Sequence, residues 1–239
     1  MTTDRPRPQR ELPKRFYHCV AVEPAADGFA VVLDGRPIRT PARARLVVPR
    51  EPVAEAIAAE WRGQGERIDP ATMPATRLAN SALDGVAART REVIDEIVGF
   101  AGSDLLFYRA EAPEELVARQ AALWDPILAE AERALAVRFV LAEGVMPVEQ
   151  SAPALAAARR AVPAEPFALA GVHLLTTLTG SALIALAVRR GALSLDAAWD
   201  AAHVDEDWNI SLWGEDAEAA ARRAHRYRDA EAAALFAAG

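Results

Sequence analysis

The sequence predicts an α+β protein, a small N-terminal antiparallel-sheet domain with a covering helix followed by a larger all-α helical bundle. Three observations predict it. Short β-branched runs between residues 16 and 48 are punctuated by Asp27-Gly28 and Asp34-Gly35. Beyond Glu51 the apolar residues recur at helical spacing. Alanine, the strongest helix former, dominates the apolar content.

Phe16, His18, Val20 and Val22 alternate with Tyr17, Cys19 and Ala21, the pattern of a first strand. Asp27-Gly28 marks a turn into a second, Phe29 to Leu33. Asp34-Gly35 is a strong two-residue hairpin signal, because a type I′ turn needs positive φ at both positions. Pro37 to Thr40 and Leu46 to Val48 continue as short strands, restricted to edges or ends by their prolines. Val53, Ile57, Glu60 and Trp61 then fall on one helical face behind Pro52, and this helix is expected to cover the sheet. Gly63, Gly65, Pro70 and Pro74 break the chain, which places a domain boundary near residue 70: a mixed β-rich domain at 1–70, a helical domain at 71–239.

The helical part is read as Ala75 to Val86, Thr90 to Phe100, Pro113 to Ala136, Pro153 to Ala161, Phe167 to Arg190, Leu195 to Trp208 and Glu215 to Ala238. Pro126 should kink or divide the third of these. Asp104 to Arg109 is ambiguous between strand and link, and Val137 to Leu141 reads as a short extended piece. The run from Phe167 to Val188 contains no Asp, Glu, Lys or Arg, and is long enough to cross a bilayer. Its His173, three threonines and Ser181, and the lack of flanking Trp or Tyr, favour a buried central helix instead. His173 is expected to be buried there, bonded to a hydroxyl or carbonyl.

With 239 residues, 52% apolar and 26% charged, the composition is ordinary for a globular chain. The net charge of -7 argues against nucleic acid as partner. Lys14 is the only lysine, follows Pro13 and has no glycine-rich loop beside it, so a phosphate-binding loop is absent. A lone Cys19 can form neither an internal disulfide nor a multi-cysteine zinc site, and a reducing compartment is the simple inference. The first residues, MTTDRPRPQRELPKRF, hold no apolar stretch of a secretory signal, and their prolines block an amphipathic transit helix. They read as a mobile basic arm.

No HExxH pair, GxSxG frame or complete dinucleotide loop occurs. His203, Asp205 and Asp207 could supply metal ligands, yet i and i+2 positions on a helix point to different sides. An enzyme with a cryptic carboxylate or metal site around His203–Asp207 is the alternative reading. A peripheral membrane factor is a second rival. The densest segment is HVDEDWNISLWGEDAEAAARRAHRYR, from His203 to Arg228. It packs Asp205, Glu206, Asp207, Glu215, Asp216 and Glu218 around Trp208 and Trp213. Part of this suits a helix start, where carboxylates favour the positive end of the dipole and Glu218 pairs with Arg222. Aromatic anchors ringed by charge also suit a protein-binding surface.

Within that segment, DEDWNISLWGEDAEAAARR resembles the C-terminal signature of the ATP synthase assembly chaperones of the Atp-twelve family. KRFYHCVAV, GFAVVLDGRPIRTPAR, AAEWRGQGERIDPATMPATRLANSALD, SDLLFYRAEAPEELVARQAALWDPIL and LTTLTGSALIALA are similar to the family's other blocks, in the same order. The likeness covers nearly all the chain beyond residue 13. Asn209, where glutamine is usual, and Cys19 depart from it. The resemblance implies a mixed N-terminal domain, a helical C-terminal domain and binding to the free alpha subunit of the catalytic head. It implies shielding of that subunit's interface from aggregation, displacement on assembly with beta, and no ATP hydrolysis, catalytic residue, metal or cofactor. The partner-binding residues expected on this basis are Glu206, Trp208, Trp213, Glu215, Asp216 and Glu218. A monomer without stable membrane insertion is expected, in a bacterial cytoplasm, or in the mitochondrial matrix if the chain is a processed eukaryotic form.

Overall fold

The computed structural model describes residues 11–144 and 148–238. The first ten residues, most of the expected basic arm, lie outside them. The segment just after them is tied down: Lys14 bridges Arg67 in antiparallel fashion, and the Ile68 N–H donates to the Pro13 carbonyl at 2.8 Å.

The sheet is built on β2 (Gly28–Leu33), against which β1 (Val20–Ala25), β3 (Arg36–Pro37) and β4 (Val47–Val48) all pair antiparallel. β3 and β4 share one edge of β2 end to end, with Val32 opposite Pro37 and Phe29 opposite Val48. Asp34 and Gly35 have φ of 49° and 75°, and Leu33 faces Arg36, as the hairpin signal requires. The first turn sits one residue earlier than expected. Ala25 faces Gly28, so Ala26-Asp27 makes the turn and Gly28 opens the strand. Gly28 is needed there for space as well as φ: a Cβ would lie 2.2 Å from the Val48 carbonyl oxygen. The first strand also starts late, at Val20, because the Asp34 carboxylate takes the His18 and Cys19 N–H groups at 3.1 and 2.8 Å.

Helix α1 (Glu51–Arg62) covers the sheet, with Val53, Ala54, Ile57 and Ala58 buried in one core with Val31, Leu33 and Val48. Its Glu60 reaches across to the start of α2 (Pro74–Asp84), accepting from the Ala75 N–H at 2.6 Å and the Thr76 N–H and hydroxyl at 2.8 and 2.6 Å. This carboxylate caps a helix other than its own. Burial pushes its pKa up while those donors pull it back.

The helical part continues with α3 (Thr90–Gly102), α4 (Glu114–Leu135), α5 (Ala152–Ala161), α6 (Pro166–Thr179), α7 (Ala182–Arg189), α8 (Leu195–Ala202), α9 (Val204–Trp213) and α10 (Ala217–Ala237). Asp104 to Arg109 resolves into a 3-10 turn, Leu105–Phe107, and a strand, β5 (Tyr108–Arg109). β5 pairs in parallel with β6 (Ala142–Glu143), so the extended piece expected at 137–141 forms its ladder just beyond that range. Pro126 lies inside α4 without dividing it.

Two expected helices are each two. The apolar run breaks at Gly180, whose φ of 70° ends α6, and Ser181 caps α7 by accepting from the Ile184 N–H at 3.0 Å. Asp104, fully buried, accepts from the Leu183 N–H at 3.0 Å and the Leu106 N–H at 3.2 Å, fastening the 3-10 turn to the start of α7. Its pKa is raised to about 6 by burial, against the pull of those hydrogen bonds. The second break, at His203, separates α8 from α9.

The division of α6 from α7 explains the charge-free run. Ala182, Ala185 and Leu186 of α7 join the core made with the sheet, α1 and α10, while Leu183 and Ile184 join a second core with Phe107, Trp124 and Ile127. A helix buried on both sides has no face for charge. Among the described residues no helix is long and apolar enough to cross a membrane. α6 packs against α10 so closely that a Cβ on Gly171 would lie 2.5 Å from the Ala237 nitrogen and 2.6 Å from the Ala233 oxygen. His173 is not the buried residue expected: its side chain is part-exposed, and Nε2 lies 2.8 Å from the Glu96 carboxylate.

Candidate protein-docking site

Helix α9 is amphipathic only in its first half. Val204 and Trp208, one turn apart, are buried, and the guanidinium of Arg119 from α4 lies over the Trp208 ring at 4.9 Å. Asp205 accepts from Gln120 Nε2 at 2.7 Å, and Gln120 Oε1 accepts from the Ala110 N–H at 2.8 Å. The helix then outruns its packing. Every residue from Ser211 to Glu218 is exposed, Leu212 at 53% and Trp213 at 84%. Gly214, at φ 86°, stops the helix, and the chain turns back into α10.

Asp216 caps α10 by accepting from the Ala219 N–H at 2.7 Å. Glu218 pairs with Arg222 at 2.5 Å, both largely exposed. Asp207 of α9 and Arg223 of α10 form a bidentate pair that joins the two helices and raises the arginine's pKa further. Between the helices lies a groove of about 470 Å³, lined by Glu206, Trp213, Glu215 and Asp216 with Asn209, Ile210 and Arg223. Glu206 and Glu215 have no cationic partner among the described residues.

Of the six expected contact residues, the fold brings Glu206, Trp213, Glu215 and Asp216 together on this groove. Trp208 and Glu218 do not line it: Trp208 is a core side chain, and Glu218 serves the first turn of α10. Ile210 is a groove residue that the segment's composition left unmarked, and Asn209 and Arg223 join it there. The ligands imagined around His203 diverge. His203 Nδ1 lies 2.8 Å from the Trp199 carbonyl, Asp205 goes to Gln120 and Asp207 to Arg223. Burial lowers the His203 pKa, and its ring lies in the core, tilted against that of Trp199 with centroids 4.2 Å apart.

An exposed tryptophan over an acidic groove can dock protein, and the chain's relatives are chaperones. Residues 14–132 match a family model described as ATP12 chaperone protein. The Atu1473 protein of Agrobacterium tumefaciens superposes with a TM-score of 0.91 at 45% identity, covering 98% of this chain and 91% of that one. Atp12 from Paracoccus denitrificans, and a point mutant of the same protein, each superpose with a TM-score of 0.86 at 40% identity, covering 94% of this chain and 97% of theirs. The chain belongs to the ATP12 chaperone family, the ATP synthase assembly chaperones that its sequence blocks resemble.

Proposed function

We propose that this protein holds the free alpha subunit of the ATP synthase head, shields its subunit interface and yields it to beta, without hydrolysing ATP. The observation that carries the reading is the exposed end of α9, where Trp213 is 84% accessible beside Glu206, Glu215 and Asp216. A large aromatic side chain held in water on a helix end contributes little to the fold, and such residues anchor interfaces. The unpaired carboxylates give the anchor a sign, favouring a basic or amide-rich client surface. A client covered through so small a patch is released by competition, because the permanent subunit interface is larger and more apolar.

The same reading makes the protein a non-enzyme, and a monomer that works in a bacterial cytoplasm or mitochondrial matrix. Its two parts, 1–70 and 71–239, are proposed as the units on which the client is held. Co-purification of the tagged chain from cells, with the partner identified by mass, tests the client. Recovery of alpha supports the reading, and recovery of assembled head or of no ATP synthase subunit sinks it.

A further inference from the structure

The sheet carries a second groove of opposite charge, far in sequence from the α9–α10 site. It measures about 560 Å³ and is floored by Leu33, Pro37 and Ile38. An aromatic staircase walls it. Phe16, 72% exposed, meets Tyr17 edge-on at 5.5 Å, and Tyr17 meets Trp61 edge-on at 5.5 Å. The indole N–H of Trp61 is buried without an acceptor among the described residues. A buried donor left unpaired is costly, and its resonance reports on changes in the groove wall.

Arg36 and Arg39 stand exposed on the rim, with Arg43 and Arg45 beyond them on the same β-edge. None of these has a carboxylate partner among the described residues; Arg39 donates only to the Arg43 carbonyl at 2.8 Å. Asp34, the one acid lining the groove, is already engaged by the His18 and Cys19 N–H groups. An arginine-rimmed aromatic groove thus stands on a chain whose net charge is -7.

We propose that this groove docks an acidic polypeptide segment carrying one large apolar side chain. The apolar side chain packs on the exposed ring of Phe16, and flanking carboxylates meet Arg36 and Arg39. The protein then presents two docking surfaces of opposite sign. This inference is independent of the alpha-subunit reading, since its probe contains no ATP synthase sequence.

The test uses the full chain labelled with nitrogen-15 and a capped peptide with two aspartates on each side of a phenylalanine. The Trp61 indole resonance, assigned with Trp61→Phe, should shift saturably. Phe16→Ser and Arg36→Glu, both at exposed positions, should each weaken binding at least tenfold and leave the rest of the spectrum in place. A peptide with lysines for aspartates should not bind. Equal binding of the lysine peptide, unchanged binding by both variants, or shifts confined to the α9–α10 groove would overturn the proposal. So would a single-stranded oligonucleotide binding as tightly to the Phe16→Ser protein as to the unaltered chain, which marks a general polyanion surface. Concentration-dependent self-association abolished by Arg36→Glu would assign the groove to a second copy and overturn it as well.

Discussion

Trp208 and Trp213 stand about one and a half turns apart on the same helix and have opposite surroundings, 8% exposed beneath Arg119 and 84% exposed beyond the last packed turn. The pair separates architecture from surface within one segment. Trp208→Ala should cost about 3–5 kcal/mol of stability, as for other buried aromatic truncations. Trp213→Ala should stay within about 0.5 kcal/mol. Equilibrium urea unfolding of both variants checks this; equal costs would contradict the assignment.

The double burial of α7 predicts another asymmetry. Leu183 is fully buried and Leu178, near the end of α6, only partly so. Leu183→Ala should cost about 2–5 kcal/mol, and Leu178→Ala distinctly less. Thermal midpoints of the two proteins give the order.

Gly171 predicts a small-to-large failure. Any side chain there meets the α10 backbone at Ala233 and Ala237, which cannot rotate away as a side-chain tip could. Gly171→Val should therefore destabilise by about 2 kcal/mol or more, despite valine's apolar character. A melting temperature equal to that of the unaltered chain would show that α6 and α10 are not packed so closely.

Asp104 predicts a pH dependence. Its folded pKa, about 6, lies above the ordinary 3.8, so between those two values the folded chain keeps a proton that the unfolded chain has released. The stability from this group is complete below the unfolded value and is lost as pH rises through about 6. The full difference is on the order of 3 kcal/mol. Carbon NMR of the Asp104 carboxyl should show a midpoint near 6; a midpoint at or below the ordinary 3.8 would mean that the hydrogen bonds offset or outweigh burial.

Much of the fold was legible because its signals are local. Asp34-Gly35 dictates a hairpin, and Pro52 with Val53 and Ile57 dictates a helix and its inward face. The breaks at Gly180-Ser181 and His203 were missed for different reasons. Gly180-Ser181 is a stop followed by a cap, visible in sequence but overridden by the apolar run around it. His203 has no side-chain cap, and its turn rests on the Trp199 carbonyl, which no spacing rule marks. The late start of β1 depends on Asp34 reaching back to His18 and Cys19, a contact across the hairpin. The site was legible as a cluster but not as a surface. Composition placed Trp208 and Trp213 together; only the packing of α9 on α4 separates them. Glu206 and Glu215, expected from the sequence together with Glu218, are left without a partner because Asp205, Asp207 and Glu218 are the ones committed, to Gln120, Arg223 and Arg222.

The central claim is that the exposed end of α9 and the groove behind it hold the alpha subunit. The direct measurement is capture of purified alpha subunit by the Glu215→Lys and Trp213→Ala proteins, with thermal midpoints taken on the same samples. Both positions are exposed and make no ion pair among the described residues, so the midpoints should not move. Capture should weaken by about 2 kcal/mol or more in each, roughly thirtyfold in Kd. Glu218→Lys serves as the contrast, expected to cost about 0.3–1 kcal/mol of stability at the start of α10 and to leave capture nearer that of the unaltered chain. Undiminished capture by both Glu215→Lys and Trp213→Ala would contradict the account.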